Sequence, residues 1–265
     1  MIELTHIGFS YGKKRALNDC SLTIGDGEIT AITGENGSGK TTLGLLLAGM
    51  LSCQEGHIVV DGKDMRNSST AEGFRRSIGI VFEDPDNQFI TTSVERELAF
   101  GLENLGVEPD NIRERVENTI ERFSLGAIRE RQPHTLSGGE KQSVSIAATL
   151  IARPRYLILD EPTIFLDPVS RDAVREIICS VKGEVTIIFI SQFPSEILLA
   201  DTIYELHDGC VRGPFDRGSM FKLFRTHDPT IQFLQTLRDL GIFKGDTIPE
   251  IEALCAMLEA HRAAA

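Results

Sequence analysis

The chain has 265 residues, 41% hydrophobic and 25% charged, which is material for one sizeable α/β unit and a small appendage. A formal charge of −12 argues against nucleic acid as a partner and against docking on anionic lipid, since both need basic surface. Cys20, Cys53, Cys179, Cys210 and Cys255 form no Cys-x-x-Cys pair and are odd in number, which reads as free thiols in a reducing compartment. The start, Met1-Ile2-Glu3-Leu4, lacks a basic-plus-apolar signal, and no apolar stretch approaches the roughly 20 residues that cross a bilayer.

Residues 2 to 30 alternate in character and carry turn signals at Gly12-Lys13 and Gly25-Asp26-Gly27. With the segment from Gly56 to Gly62 they predict an antiparallel sheet. The apolar run Ile29 to Ile32 reads as a buried parallel strand, and Gly34-Glu35-Asn36-Gly37-Ser38-Gly39-Lys40-Thr41-Thr42 follows it at once. Strand, glycine-rich loop and helix in this order make a phosphate-binding loop. Its glycines let backbone N–H groups curl around a β-phosphate, and the helix through Leu43 to Ala48 favours the anion at its N-terminus. Lys40 then reaches the β- and γ-phosphates, and Thr41 offers a hydroxyl to Mg²⁺.

Ile78 to Phe82, Leu157 to Asp160 and Ile187 to Ser191 read as further buried parallel strands. Between the first two, from about residue 88 to 150, the pattern is helical and charged, as suits an inserted helical subdomain. A helix is expected to start around Thr92, with Glu95 as its capping partner. Ser137 and Glu140 are spaced as a capping box ahead of an apolar run, Val144 to Leu150. A cap alone does not require Gly138 and Gly139, whereas a helix N-terminus that approaches another subunit's γ-phosphate does. The strand Tyr156-Leu157-Ile158-Leu159 ends in Asp160-Glu161. Asp160 is placed to hold a Mg²⁺-bound water and Glu161 to polarise the attacking water, with Lys40 and Asp160 on separate strands.

After Gly213-Pro214 the character changes. Asp228-Pro229-Thr230 opens one amphipathic helix, and Thr247-Ile248-Pro249-Glu250 caps a second with a stripe at Ile251, Leu254, Cys255 and Leu258. Neither helix can bury its face alone, so both should pack on the main unit or on a partner. The six histidines, His6, His57, His134, His207, His227 and His261, are scattered without ligand spacing.

With the phosphate loop, Leu136-Ser137-Gly138-Gly139-Glu140 and Asp160-Glu161 in this order, the chain resembles the ABC ATPases over residues 2 to 213. The resemblance implies an α/β fold: a P-loop NTPase (RecA-like) core with an antiparallel β subdomain and an inserted helical subdomain at about 88–150, within a domain of residues 1–213. Residues 214–265 read as a small C-terminal helical extension. The resemblance further implies a head-to-tail dimer that closes on two MgATP molecules, Ser137, Gly138 and Gly139 acting on the partner's phosphate. Tyr11 carries over as the adenine-stacking aromatic, with a plain packing role as the alternative, and Asp167 as part of the loop that couples the two sites.

A narrower resemblance lies in Val81-Phe82-Glu83-Asp84-Pro85-Asp86-Asn87-Gln88-Phe89, which is similar to the ATPases of energy-coupling-factor importers, including the cobalt-uptake type. It implies work at the cytoplasmic face of the membrane and contact near Gln88 with a transmembrane scaffold subunit, which serves a separate substrate-binding membrane subunit. Similarity to this type of ATPase also makes the extension of residues 214–265 a dimer contact, so that removal from residue 226 on should weaken dimerisation; a tail that only covers its own domain is the alternative. Two positions depart from the family. Glu83 stands where a glutamine touches Mg²⁺ and water, and Gln192, in Phe189-Ile190-Ser191-Gln192-Phe193, stands where a histidine contacts the γ-phosphate. Gln192 can donate a hydrogen bond but cannot become cationic. A slow site paired with an intact one favours a heterodimer, with a homodimer and a compensated, working site as alternatives. Another ABC transporter class and a regulatory or soluble nucleotide switch also stay open.

Overall fold

The structure is a computed structural model and describes residues 1–66, 68–216 and 236–237. The chain opens with β1 (Ile2–Tyr11), β2 (Lys14–Ile24) and β3 (Ile29–Thr33), then α1 (Lys40–Leu47), β4 (Glu55–Val60) and β5 (Lys63–Asp64). It continues through α2 (Ser68–Ser77), β6 (Ile78–Val81), α3 (Val94–Asn104), α4 (Pro109–Arg122) and α5 (Gly138–Leu150). The last stretch holds β7 (Tyr156–Asp160), α6 (Pro168–Ser180), β8 (Thr186–Ile190), α7 (Pro194–Ile197), β9 (Thr202–His207) and β10 (Cys210–Phe215).

Among the described residues, a four-stranded antiparallel sheet runs β2-β1-β4-β5 and a six-stranded sheet runs β10-β9-β3-β8-β7-β6. In the second sheet β9, β3, β8, β7 and β6 are parallel, and β10 is antiparallel at the edge. Every residue of β3, β7 and β8 is buried, which is why these strands read as continuous apolar runs rather than alternating ones. On one face they meet Leu43, Leu46 and Leu47 of α1 and, beyond, Ile2, Ile7, Leu17, Cys20 and Ile24 of the antiparallel sheet. On the other they meet Val174 and Ile178 of α6, Ile146 of α5 and Ile197 of α7. A third cluster, with Val94, Leu98, Val116, Ile120 and Val144, holds α3, α4 and α5 together as the helical part.

Two expectations are corrected. Lys40 opens α1 rather than standing on a strand, because Gly39 in the left-handed region turns the chain into the helix. The helix expected near Thr92 begins at Val94, with Ser93 as its cap accepting from the Arg96 N–H. Glu95 is no cap, since its carboxylate pairs with Arg129 instead. β9 and β10 extend the sheet beyond the strands expected from the sequence, and β10 runs on to Phe215, past Gly213. The helices expected at Asp228 and Thr247 lie outside the described residues.

Candidate functional site

Parallel strands deliver their loops to one pole, so the ends of β3, β7 and β8 bring distant parts of the chain together. After β3, Gly34 and Gly39 take φ of 147° and 108°. A Cβ at Gly34 would lie 2.0 Å from the Leu206 carbonyl oxygen, and one at Gly39 2.6 Å from that of Ala16, so this loop fits only with glycine at both positions. α1 starts with no side-chain cap and no acid in its first turn, leaving its N–H groups to a ligand. Ser38 Oγ is buried without a partner, and Thr42 is buried as well. Lys40, 5% exposed, folds back on its own loop: Nζ donates to the Gly34 carbonyl at 2.9 Å and that of Glu35 at 3.0 Å. It also lies 3.5 Å from Glu161 Oε1.

β7 ends at Asp160, to which Thr41 Oγ1 donates at 3.5 Å. Burial pushes the Asp160 carboxyl up to about 6, helped by the negative charges of Glu161 and Glu83 and opposed by the Thr41 hydroxyl and the Lys40 ammonium. Glu161 sits at φ 46°, its N–H held by the Ile190 carbonyl at 2.9 Å, and its Oε2 is buried without a partner. Gln192, after β8, donates from Nε2 to Glu161 Oε1 at 2.9 Å and to Asn36 Oδ1. Gln192 thus ties the phosphate loop to the strand-end carboxylate. Glu83 is exposed and makes no hydrogen bond or ion pair among the described residues. Tyr11 is half exposed at the end of β1, edge-on to Phe9 with ring centroids 5.0 Å apart.

At the start of α5 both capping-box bonds are made: the Glu140 N–H donates to Ser137 Oγ, and the Ser137 N–H to Glu140 Oε2 at 2.7 Å. Ser137 and Gly138 are exposed. A Cβ at Gly139 would lie 2.7 Å from Ser170 Cβ, so this glycine lets α5 close onto α6. Asp167 caps α6, accepting from the Val169 and Ser170 N–H groups at 3.0 and 3.1 Å. Phe165 and Val169, 74% and 79% exposed, flank it. The Ser137 turn and the Asp167 loop are therefore neighbours.

Asp86, in the turn after β6, accepts from Lys141 Nζ of α5 at 2.6 Å and faces His134 at 3.4 Å. The Gln88 side chain turns inward: Oε1 accepts from the Phe82 N–H and from Ser145 Oγ, both at 3.0 Å, and Nε2 donates to the Ile80 carbonyl. Outward, Ile90 is 68% exposed beside a groove of about 440 Å³ lined by Thr91, Thr92, Arg96, Phe100 and Glu103. The sequence reading missed three fully buried residues beneath the pole: Glu196, and Thr163 and Ser191, whose hydroxyls both donate to its carboxylate. No motif marks them, and only the fold brings them together.

Residues 17–164 match the family described as ABC transporter. The chain is 39% identical over 262 residues to the energy-coupling factor transporter ATP-binding protein EcfA1 of Latilactobacillus sakei subsp. sakei, covering 97% of this chain and 88% of that protein. It is 41% identical over 214 residues to EcfA of Pediococcus pentosaceus, covering 79% and 76%. Among solved structures it resembles cbiO1 from Clostridium perfringens, part of the ABC transporter complex cbiONQ, with TM-score 0.76, 31% identity and 89% and 98% coverage. The fold is also that of dimeric MJ0796 bound to ADP and Pi, with TM-score 0.72, 22% identity and 82% and 98% coverage.

Proposed function

This chain belongs to the ABC transporter ATPase family, and on that premise we propose that it binds and hydrolyses ATP to energise an energy-coupling-factor importer of a micronutrient, a vitamin or a transition-metal ion. The observation that carries the reading is the meeting of Lys40, Thr41, Asp160, Glu161 and Gln192 at the ends of β3, β7 and β8. The N–H groups from Gly34 to Thr42, including those of Asn36, Gly37, Ser38 and Gly39, surround the β-phosphate. Lys40 swings from its carbonyl partners to the γ-phosphate, which offers a full charge in place of two neutral oxygens. Tyr11 stacks on the adenine.

Mg²⁺ fits the donor set. Thr41, Asp160 and Glu83 offer hard oxygens, and Asp160 is a buried carboxyl that ionises more easily beside a cation. These residues would hold the cation together with the phosphates of the nucleotide. When bound, the cation neutralises the charge that grows on the phosphate oxygens. Glu161 takes the proton of the attacking water on its unpartnered Oε2.

Hydrolysis at this chain's own phosphate loop is slow, because Gln192 replaces a group that can become cationic and Glu83 adds negative charge. A second ATPase with an intact site then completes a heterodimer, to which this chain lends Ser137, Gly138 and Gly139, with Asp167 coupling the two sites. The turn through Gln88 and the groove beside Ile90 receive a transmembrane scaffold subunit, which moves a separate substrate-binding membrane subunit. Among the described residues no helix is long and apolar enough to cross a membrane; the reading places the chain at the cytoplasmic face through its contact with that scaffold. A regulatory nucleotide switch is the second reading, favoured by the bridge that Gln192 makes between Asn36 and Glu161.

Affinity purification of the tagged chain from detergent-solubilised native membranes tests the assignment. The expected companions are a second ATPase, with glutamine and histidine at the two altered positions, and a multi-span membrane protein. Recovery of the chain with soluble partners alone would overturn the importer and favour the switch.

A further inference from the structure

Behind the pair Glu161 and Gln192 lies a carboxylate that the proposed chemistry leaves unused. Glu196, in α7, is 1% exposed. One of its oxygens accepts from Thr163 Oγ1 and the other from Ser191 Oγ. Thr163 follows Glu161 by two residues on the loop after β7, and Ser191 immediately precedes Gln192 after β8. A single side chain therefore ties the two strand-end loops to each other. Thr163 and Ser191 are themselves fully buried, and Ser191 Oγ also accepts from the Phe193 N–H at 3.0 Å.

Burying a carboxylate is costly, and apolar residues of the same volume would fill this space more cheaply. What Glu196 adds over such filling is two directional bonds, one to each loop. That geometry has a use at Glu161, whose φ of 46° a non-glycine residue keeps only when its surroundings over-determine it. The arginines of α6 back the arrangement, with Arg171 stacked on the Phe193 ring at 4.1 Å and donating to the Leu166 carbonyl at 3.3 Å. Through them the clamp reaches the helix that Asp167 caps.

We propose that Glu196 is a positioning residue for ATP hydrolysis: through Thr163 and Ser191 it fixes the placement of Glu161 and Gln192 relative to each other. It acts mainly on the chemical step: the phosphate loop hangs from β3 and meets Glu196 only by way of Gln192, whose amide bonds Asn36, so nucleotide affinity should respond far less than the rate. The inference rests on the reading that Glu161 and Gln192 face the γ-phosphate.

The test uses the full chain assembled with its partner ATPase, whose own phosphate loop is disabled, and carrying Glu196→Ala, Glu196→Gln, Ser191→Ala and Thr163→Val, each alone and the first also with Gln192→Ala. Measured are the dissociation constant of a fluorescent ATP analogue, single-turnover hydrolysis with protein in excess, and the NMR signals of the Gln192 side-chain amide, identified by their loss in Gln192→Ala. Glu196→Ala is expected to slow the single turnover by about tenfold to a hundredfold, with nucleotide affinity within about twofold. Glu196→Gln keeps an acceptor and can donate to Thr163 Oγ1, so it should recover most of the rate. The Gln192 amide signals should move in Glu196→Ala and Ser191→Ala, and once Gln192 is alanine Glu196→Ala should cost less than it does alone, keeping only the part that acts through Thr163 on Glu161. Unmoved amide signals, or losses that multiply in the double variant, would overturn the proposal. Should Glu196→Ala fail to fold, Ser191→Ala and Thr163→Val decide by the same readouts. A wild-type chain that binds no MgATP would defeat the functional reading instead, while the amide signals would still decide this one.

Discussion

The turn at Ser137-Gly138-Gly139-Glu140 satisfies its own backbone before any ligand arrives, whereas the groups at the ends of β3, β7 and β8 are held largely by one another. In the first, both capping-box bonds are closed and Gly139 seats α5 on α6. In the second, Lys40 donates to carbonyls of its own loop, Gln192 bridges Asn36 and Glu161, and Glu161 Oε2 has no partner. The difference separates a preorganised donor from a site that must rearrange to work. Preorganised dipoles cost nothing at the moment of reaction, while groups bonded to one another exchange those bonds for bonds to substrate.

Gly138→Asp would break that comparison most severely, because it puts a negative charge on the exposed turn. In the assembled dimer, turnover at the partner's site is expected to fall by about a hundredfold to a thousandfold. MgATP affinity at this chain's own loop, measured with the isolated subunit, should stay within about twofold. Equal loss at both would mean that the turn serves its own loop.

How legible each half was in the sequence follows from how local its chemistry is. The phosphate loop, the capping box at Ser137 and the acidic end of β7 are contiguous residues whose spacing carries their geometry. The contact of Gln192 with Asn36 spans 156 positions, and that of Thr163 with Glu196 spans 33, so neither leaves a local pattern. Ser93 displaced Glu95 at the start of α3 because Arg129 claims Glu95, a partner that helix-end rules cannot foresee. Gln88 is the subtler case: the segment was singled out for an outward contact, yet its amide is bonded inward to β6 and α5, and Ile90 is what faces out.

Asp160 sharpens the view of the strand-end site. Its carboxyl holds a proton up to about pH 6 in the nucleotide-free fold, against an ordinary value of 3.8. The folded state thus binds the proton more tightly than the unfolded one, so this stabilising contribution is complete below 3.8 and lost as pH rises through about 6. Asp160→Asn keeps an acceptor for Thr41 and removes the buried charge, so above pH 7 it should stabilise the nucleotide-free chain by at most about 3 kcal/mol. Melting temperatures without nucleotide should diverge at pH 8 and converge as pH falls towards 4. A gain that does not vary with pH would point to packing instead of charge. The variant should also lose the stabilisation that MgATP gives the wild type.

Gln192→His and Glu83→Gln test the proposal that these two residues make hydrolysis at this chain's own loop slow. Each is expected to raise turnover at this chain's own loop by about threefold to tenfold, since a group that can become cationic replaces a neutral donor and a charge beside the phosphates is removed. Steady-state rates in a dimer whose other site is disabled report the change. No gain from either substitution would mean that the altered pair forms a working site.

The smallest expected effect tests whether the two regions move as one body. Asp86 joins the turn after β6 to α5 through Lys141, and Lys141 holds its carboxylate below the ordinary range, with His134 adding to the effect. Asp86 is 45% exposed, so breaking this bond should cost no more than about 1 kcal/mol and leave nucleotide affinity unchanged. Gln88 to Ser145 is a second link between the same two elements, which further limits the loss. If the outward face beside Ile90 receives the scaffold, a push there reaches Ser137 through these two links. Asp86→Ala should then lower scaffold-stimulated turnover by about twofold to fivefold, while basal turnover of the free subunits stays the same. Asp86→Lys with Lys141→Asp should restore it, because the pair acts through its attraction and not through either side chain alone. A loss that the exchanged pair does not restore would place the role of Asp86 in the scaffold contact itself.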